Sequence, residues 1–232
     1  MEIPTFLLSE HYDDRYFDVV DALEEAKQVF FLGSGFPSLL SAMGADRKNI
    51  SIGETGFGAG RLLIALLDFL DNCGVTDVAI IYNSVELHPL TSSRMESILS
   101  GFRPQVGLLI DLLVQAYDRL DIVQPGWHRV QFTRPFGTLT LNLWIGEALE
   151  MVRALTMPCD AWFLDGHSPQ KNPSIWRPEL LLAIGEKTRA GGACATFTVA
   201  GAVRRGLADA GFRVEQRPGY GGKKAVLKGV KL

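Results

Sequence analysis

The stretch GETGFGAGR, residues 53–61, sets Gly56, Gly58 and Gly60 at every second position behind the carboxylate of Glu54. A dinucleotide-binding turn carries G-x-G-x-x-G instead, and its glycines bring a pyrophosphate onto a helix N-terminus. Here the place of that third glycine is taken by Arg61, and the charge of Glu54 would repel a phosphate. An acid followed by G-x-G-x-G suits a ligand that is cationic and lacks phosphate. S-adenosylmethionine, with its ammonium and its sulfonium, is such a ligand. Glycine removes the Cβ atoms that would hold the methionine moiety away from the main chain. Glu54, Gly56, Phe57, Gly58 and Gly60 are therefore candidate cofactor contacts.

Two further carboxylates extend this reading. Glu86 closes the apolar run VAIIYNSVE, where an acidic side chain can accept both ribose hydroxyls of an adenosine. Glu147, in WIGEAL, is placed to reach the adenine from the next strand end. The alternative is a turn with nothing bound and an acidic helix cap. A fourth carboxylate, Asp165 in FLDG, ends another apolar run beside the same position. It is either a functional group or the first residue of an Asp-Gly turn.

These residues need a scaffold that brings successive strand ends together. The expected elements are a strand over residues 50–53, the apolar helix RLLIALLDFL and a β-branched strand over 78–86. Helices follow over 91–100 and 105–117, then two extended runs in HRVQFTRPFGTLTLNLWIG joined at Pro-Phe-Gly. A helix over 147–155, a strand AWFLD, a turn-rich loop GHSPQKNPS and a helix over 176–187 come next. The strand GGACATFTV, the helix AGAVRRGLADAG and a terminal pair made of FRVEQRP and KAVLKG complete the chain. Strands alternating with helices predict an α/β fold with a mainly parallel sheet and helices on both faces. Ligands on such sheets bind outside the carboxyl ends of the strands, where each candidate falls.

Composition agrees with one unit of this kind. The chain has 232 residues, 47% of them hydrophobic, enough for one sizeable core. The opening residues lack the pattern of a signal peptide and no apolar run approaches a membrane span, so the expectation is a soluble, cytoplasmic protein. Cys73, Cys159 and Cys194 form neither a disulfide set nor a metal spacing, and the four histidines are scattered; no metal site is expected. The net charge of −3 conceals an asymmetry. Residues 1–170 hold 11 Lys/Arg against 22 Asp/Glu, whereas residues 171–232 hold 12 against 4. A basic late segment is either a solvated surface or the footprint of a polyanion.

With YDDRYF, FLGSGFP, GETGFGAG, SVELHPL, LNLWIGEAL, DAWFLDGHSPQKNPSIW, ATFTVAGAVRRGL and GYGGKK in view, the chain resembles the methyltransferase domain of the MnmC family, bacterial tRNA wobble-uridine enzymes. The resemblance runs through nearly the whole chain. It implies a Rossmann-like, S-adenosylmethionine-dependent fold over residues 49–232, with residues 1–48 as an arm packing on it. The implied reaction is methylation of the primary amine of 5-aminomethyl-2-thiouridine. In the family this domain is often fused to a flavin oxidoreductase, and nothing here could encode one, so a free-standing form is expected. Glu147 stands where the family usually has Asp, and His167 and Ser168 replace the more usual Phe and Ala.

In this reading Asp165 is the catalytic residue, also touching the cofactor; it positions the acceptor ammonium and passes its proton outward. Lys171, Arg204, Arg205, Lys223 and Lys224 are candidate phosphate contacts with the tRNA anticodon stem-loop. A wobble base turned out of its stack needs a ring to hold it, and Tyr220, Trp176 and His167 are the candidates, Trp176 being equally a core residue. The open alternatives are the same chemistry on a small amine or a protein lysine, and a non-catalytic RNA-binding module.

Overall fold

The computed structural model describes residues 8–9, 11–16, 22–42, 49–220 and 225–232. Two short strands, β1 (Leu8–Ser9) and β2 (Asp14–Arg15), pair antiparallel ahead of the sheet. Helices α1 (Ala22–Ala26) and α2 (Phe36–Ser41) flank a π-helical stretch, Lys27–Leu32. The main sheet is built from β3 (Asn49–Glu54), β4 (Val78–Glu86), β5 (Gly126–Arg134), β6 (Gly137–Ile145), β7 (Cys159–Phe163), β8 (Thr188–Thr196), β9 (Phe212–Pro218) and β10 (Ala225–Lys231). Its order is β5-β6-β4-β3-β7-β8-β10-β9. The five strands from β6 to β8 run parallel, and β5 and β10 lie antiparallel to their neighbours. This is the expected mainly parallel α/β sheet.

Period-two alternation divides the sheet between two cores. Ile50 and Ile52, Ile80 and Tyr82, and Leu139, Leu141 and Leu143 face one layer together with α1, α2, α3 (Arg61–Asn72), α4 (Ser92–Leu99) and α5 (Arg103–Tyr117). Val85 and Trp162 face the other, formed by α6 (Ala148–Ala154), α7 (Pro178–Glu186) and α8 (Gly201–Asp209). The arm is not peripheral: Phe30, Phe31 and Phe36 are fully buried, and Phe31 packs its ring against Phe69 and Phe163.

Several boundaries differ from expectation. The fourth core strand ends at Phe163, so Asp165 lies two residues beyond it. Trp176 belongs to a 3-10 turn, Pro173–Trp176, and not to the helix after it, because Pro178 restarts the chain at α7. The strand expected over 191–199 begins at Thr188 and stops at Thr196. The helical run Ser92–Tyr117 is long and apolar enough to cross a bilayer by composition, contrary to the expectation that no stretch approaches that length. It is not one rod: a 3-10 turn at Ser100–Phe102 and a non-helical Val106 (φ −135°) bend it, and Met95, Ile98, Ile110 and Leu113 bury its apolar side on α3 and the sheet. Lys223 and Lys224 lie outside the described residues.

Candidate active site

The glycine turn is stitched across three strand ends. Thr55 N–H donates to the Phe163 carbonyl (3.3 Å) and Phe57 N–H to the Val85 carbonyl (2.9 Å). A Cβ on Gly56 would sit 2.9 Å from the Asp165 carbonyl oxygen, so the turn approaches the β7 end too closely for any side chain. Gly60 has φ +80° and caps α3, and its Cβ would meet Leu113 at 2.6 Å. Packing and backbone conformation thus account for these two glycines without a ligand; Gly60, expected as a cofactor contact, does not line the cavity and serves to start α3. Phe57 turns its ring into the core, parallel to Tyr117 at 6.1 Å, while the residue still lines the cavity.

That cavity, of ≈ 340 Å³, opens at the carboxyl ends of β3, β4, β6 and β7. Glu54, Glu86, Glu147 and Asp165 all line it, as do Gly56 and Gly58. The four strand-end carboxylates singled out in the sequence therefore meet in one place.

Each carboxylate is held differently. Glu54 is 1% exposed; its Oε2 accepts the Ser84 hydroxyl at 2.5 Å and its Oε1 has no hydrogen-bond partner. Burial pushes its carboxyl up to about 8, with Asp165 adding to the rise and the Ser84 hydroxyl opposing it. Glu86 accepts Gly58 N–H on Oε2 (2.8 Å) and His88 N–H on Oε1 (2.9 Å), which pins the glycine turn to the end of β4. Burial raises its carboxyl as well, partly offset by those backbone donors. Each oxygen keeps a second lone pair for a ligand hydroxyl. Glu147 stands at the N-cap of α6, half-buried, 3.3 Å from Arg177.

Asp165 is doubly engaged. Arg61 Nη2 lies 2.9 Å from its Oδ2, and Gly166 N–H donates to its Oδ1 at 3.0 Å. Arg61 is only 6% exposed and its other terminal nitrogen donates to the Ala22 carbonyl (2.8 Å), so this buried charge is matched by a carboxylate and a carbonyl.

The opposite wall comes from the arm and from the loop after β7. Tyr12, Asp14, Tyr16 and His11 reach the cavity from residues 11–16, and His167 meets them from the loop. Tyr12 and Tyr16 place their rings 4.6 and 5.8 Å from the His167 ring, and His11 stacks on His88 at 3.9 Å. Asp14 Oδ2 lies 3.4 Å from His167 Nδ1, and Lys171 Nζ lies 3.0 Å from Asp13 Oδ2. These pairs tie the arm to the loop.

The remaining candidates spread outward from this wall. Trp176 is 7% exposed, packs in the core and does not line the cavity; its indole N–H donates to the His167 carbonyl (2.9 Å) and so steadies that loop. Lys171 is paired with Asp13, as described. Arg204 and Arg205 are exposed in the second turn of α8, which starts from the carboxyl end of β8. Tyr220, half-buried, follows β9 at the same edge, since Pro218 pairs with Ala225 where β10 runs back along β8. Arg61, Tyr12, Tyr16, Asp14, His11 and His88 were not singled out as site residues from sequence. The first had a visible signal, because an arginine heading an otherwise apolar helix must find a buried anion. His88 follows Glu86 just beyond the end of β4, and the other four come from a segment with no periodicity to place it.

An acceptor set of four carboxylates, one with an orphaned oxygen, fits a ligand carrying an ammonium and adjacent hydroxyls and no phosphate. Among the described residues no group of three or more His, Cys, Asp or Glu could hold a metal ion. Comparison with known proteins bears on the cofactor. The tRNA 5-methylaminomethyl-2-thiouridine biosynthesis bifunctional protein MnmC of Caulobacter vibrioides is 39% identical over 220 residues, covering 95% of this chain and 36% of that protein. Its namesake in Stutzerimonas stutzeri is 37% identical over 221 residues, covering 95% and 32%. The chain thus spans about a third of the length of these curated relatives. The crystal structure of MNMC2 from Aquifex aeolicus shares the fold, with a TM-score of 0.72 at 20% identity, covering 96% of this chain and 65% of that one. A family profile described as S-adenosyl-L-methionine-dependent methyltransferase matches residues 110–232, more than half of the sequence. On that match, the chain belongs to the S-adenosyl-L-methionine-dependent methyltransferase family.

Proposed function

We propose that this protein methylates the primary amine of 5-aminomethyl-2-thiouridine at the wobble position of tRNA, in the cytoplasm, giving 5-methylaminomethyl-2-thiouridine. The observation that carries the reading is one cavity with carboxylates on one side and rings on the other, in a chain 39% identical to a protein named for that nucleoside's biosynthesis. When bound, S-adenosylmethionine supplies an electrophilic methyl group on sulfonium. Glu54 would hold its ammonium, Glu86 its ribose hydroxyls and Glu147 its adenine edge, along the wall formed by Gly56, Phe57 and Gly58.

The acceptor amine resembles a lysine amine, with a pKa of roughly 10, so about one molecule in a thousand has a free lone pair near pH 7. Reaching that form costs about 4 kcal/mol. Asp165, fixed by Arg61 and by Gly166 N–H, is a rigid anion that orients the ammonium by hydrogen bonding. Such alignment is a large source of rate, with effective molarities of about 10⁵ M or more in well-oriented reactions. Lys171, Arg204, Arg205 and the Lys223–Lys224 pair supply phosphate contacts, and Tyr220 and His167 supply rings for the extruded base.

The deciding assay incubates the protein with methyl-labelled S-adenosylmethionine and tRNA carrying the aminomethyl nucleoside. Label recovered in the wobble nucleoside supports the reading, and its absence there overturns it.

A further inference from the structure

Among the titratable groups around the cavity, His167 stands apart. Asp165 sits nearest the acceptor in the proposed reaction, yet both of its oxygens are engaged, by Arg61 Nη2 at 2.9 Å and by Gly166 N–H at 3.0 Å. A carboxylate sharing its charge with a buried guanidinium is a good anchor for an ammonium and a poor sink for its proton. His167 lines the same cavity two residues further on, with its side chain 13% exposed. Its Nδ1 lies 3.4 Å from Asp14 Oδ2, a contact made by a carboxylate from a different segment of the chain. Asp14 also faces Ser168 N–H at 3.4 Å, which keeps that carboxylate on the loop carrying the imidazole. A carboxylate on Nδ1 selects the tautomer whose proton is on that nitrogen and leaves Nε2 with a free lone pair.

We propose that His167 is the catalytic base of this enzyme, taking the acceptor's proton on Nε2, and that Asp14 is its positioning residue. This rests on the proposed amine acceptor. One N–H bond of the ammonium breaks, its electron pair stays on nitrogen, and the proton moves to Nε2 to give an imidazolium that faces Asp14. The nitrogen lone pair then forms the new bond to the methyl carbon as the S–CH₃ pair returns to sulfur. The product leaves as a secondary ammonium, and the proton on His167 passes to solvent. Asp165 keeps its ion pair with Arg61 throughout.

The groups facing this imidazole are Asp14, Tyr12 and Tyr16 from the arm and Asp165 from the end of β7. Burial lowers the imidazole from its ordinary value, against the opposing pull of Asp14 and Asp165, so the ring is neutral near pH 7 and available as a base. Burial also raises the Tyr12 phenol, which removes it as a competing base.

The test uses His167→Phe, which deletes both nitrogens and restores the ring more usual in the resembled family, so that it asks whether this chain depends on an imidazole where those relatives do not, and Asp14→Asn, which keeps the shape and deletes the charge. The expected result for His167→Phe is a fall in kcat of about 10²- to 10³-fold, with S-adenosylmethionine affinity by calorimetry unchanged within about twofold. The acid limb of the wild-type kcat profile, below the ordinary imidazole value of about 6.5, is absent in that variant. Added imidazole restores part of the rate in His167→Ala. Asp14→Asn moves the acid limb to lower pH, because the carboxylate holds the imidazole up. The His167 ring resonances of the donor-free protein titrate at correspondingly lower pH in NMR spectra of that variant. Wild-type kcat and an unchanged profile in His167→Phe overturn the proposal. Should that variant fail to bind the donor, the Asp14→Asn profile decides: an unmoved acid limb overturns the proposal. A wild-type protein inactive on aminomethyl tRNA overturns the functional reading instead, before any variant is compared.

Discussion

Among the described carboxylates, Glu54 departs furthest in environment from one at the surface. Folded, it holds its proton up to about 8, whereas an unfolded glutamate releases it near 4.3. The folded state therefore binds more protons between those values, and stability falls as pH rises through the window, by a few kcal/mol in all. Melting temperatures measured from pH 5 to pH 8.5 should show that decline in the wild type and lose it in Glu54→Gln. A cationic ligand meeting the orphaned Oε1 would draw the ionised form back. S-adenosylmethionine binding near pH 7 should accordingly release up to one proton, visible as a buffer-dependent heat; equal heats in two buffers of different ionisation enthalpy would contradict this. At the neighbouring pair the two partners separate two roles. Arg61→Leu leaves Asp165 without its buried counter-charge and should cost about 3 kcal/mol in denaturant unfolding. Asp165→Ala should cut methyl transfer by at least about 10²-fold while the donor still binds, and full activity in that variant would remove Asp165 from the mechanism.

Among the elements, the glycine turn and α3 set the position of everything else. Gly60 begins α3 in the left-handed region, and the helix it starts buries every side chain from Arg61 to Leu67. Gly60→Ala combines an unfavourable φ of +80° with a Cβ 2.6 Å from Leu113, at a cost of about 2 to 3 kcal/mol. The shift should also pull Arg61 from Asp165, so lower stability and weaker donor binding are expected together; a variant as stable as the wild type would show that α5 yields freely. The second positioning element is the latch between residues 11–16 and the loop after β7. Its ion pair between Lys171 and Asp13 is surface-exposed and contributes at most about 1 kcal/mol. A weak latch of that kind can yield its lysine to a phosphate.

Across the whole molecule, part of the basic excess of residues 171–232 reaches the carboxyl edge of the sheet: Arg204 and Arg205 sit on α8, which starts just after β8 ends, whereas Arg189 is at the start of β8 and Arg213 and Lys231 lie at the start of β9 and the end of β10. Phosphate binding there gives a polyanion a steep salt dependence. Replacing Arg204 and Arg205 by alanine should reduce the slope of log affinity against log salt for an anticodon stem-loop by about 1 to 1.5, at about 0.7 for each phosphate no longer neutralised. Methylation of a small amine would be unaffected by the same change, so an unaltered RNA slope would favour the small-acceptor alternative.

The sequence by itself determined the class of fold and the four carboxylates. Apolar runs alternating with helical ones can bury their faces only as a covered parallel sheet, and Glu54, Glu86, Glu147 and Asp165 each follow such a run, so all had to emerge on one edge. It also placed Arg61 next to the turn, although its partner could not be read from spacing, because Asp165 lies 104 residues away. The tertiary structure alone decided what faces those carboxylates. Residues 11–16 have no hydrophobic period to fix them, and they reach the cavity through contacts with His88 and with a loop more than 150 residues later. It decided likewise that Trp176 supports the loop from within the core, and that His167 meets a carboxylate. Pairings of that kind depend on how separate segments pack, and local sequence holds no record of them.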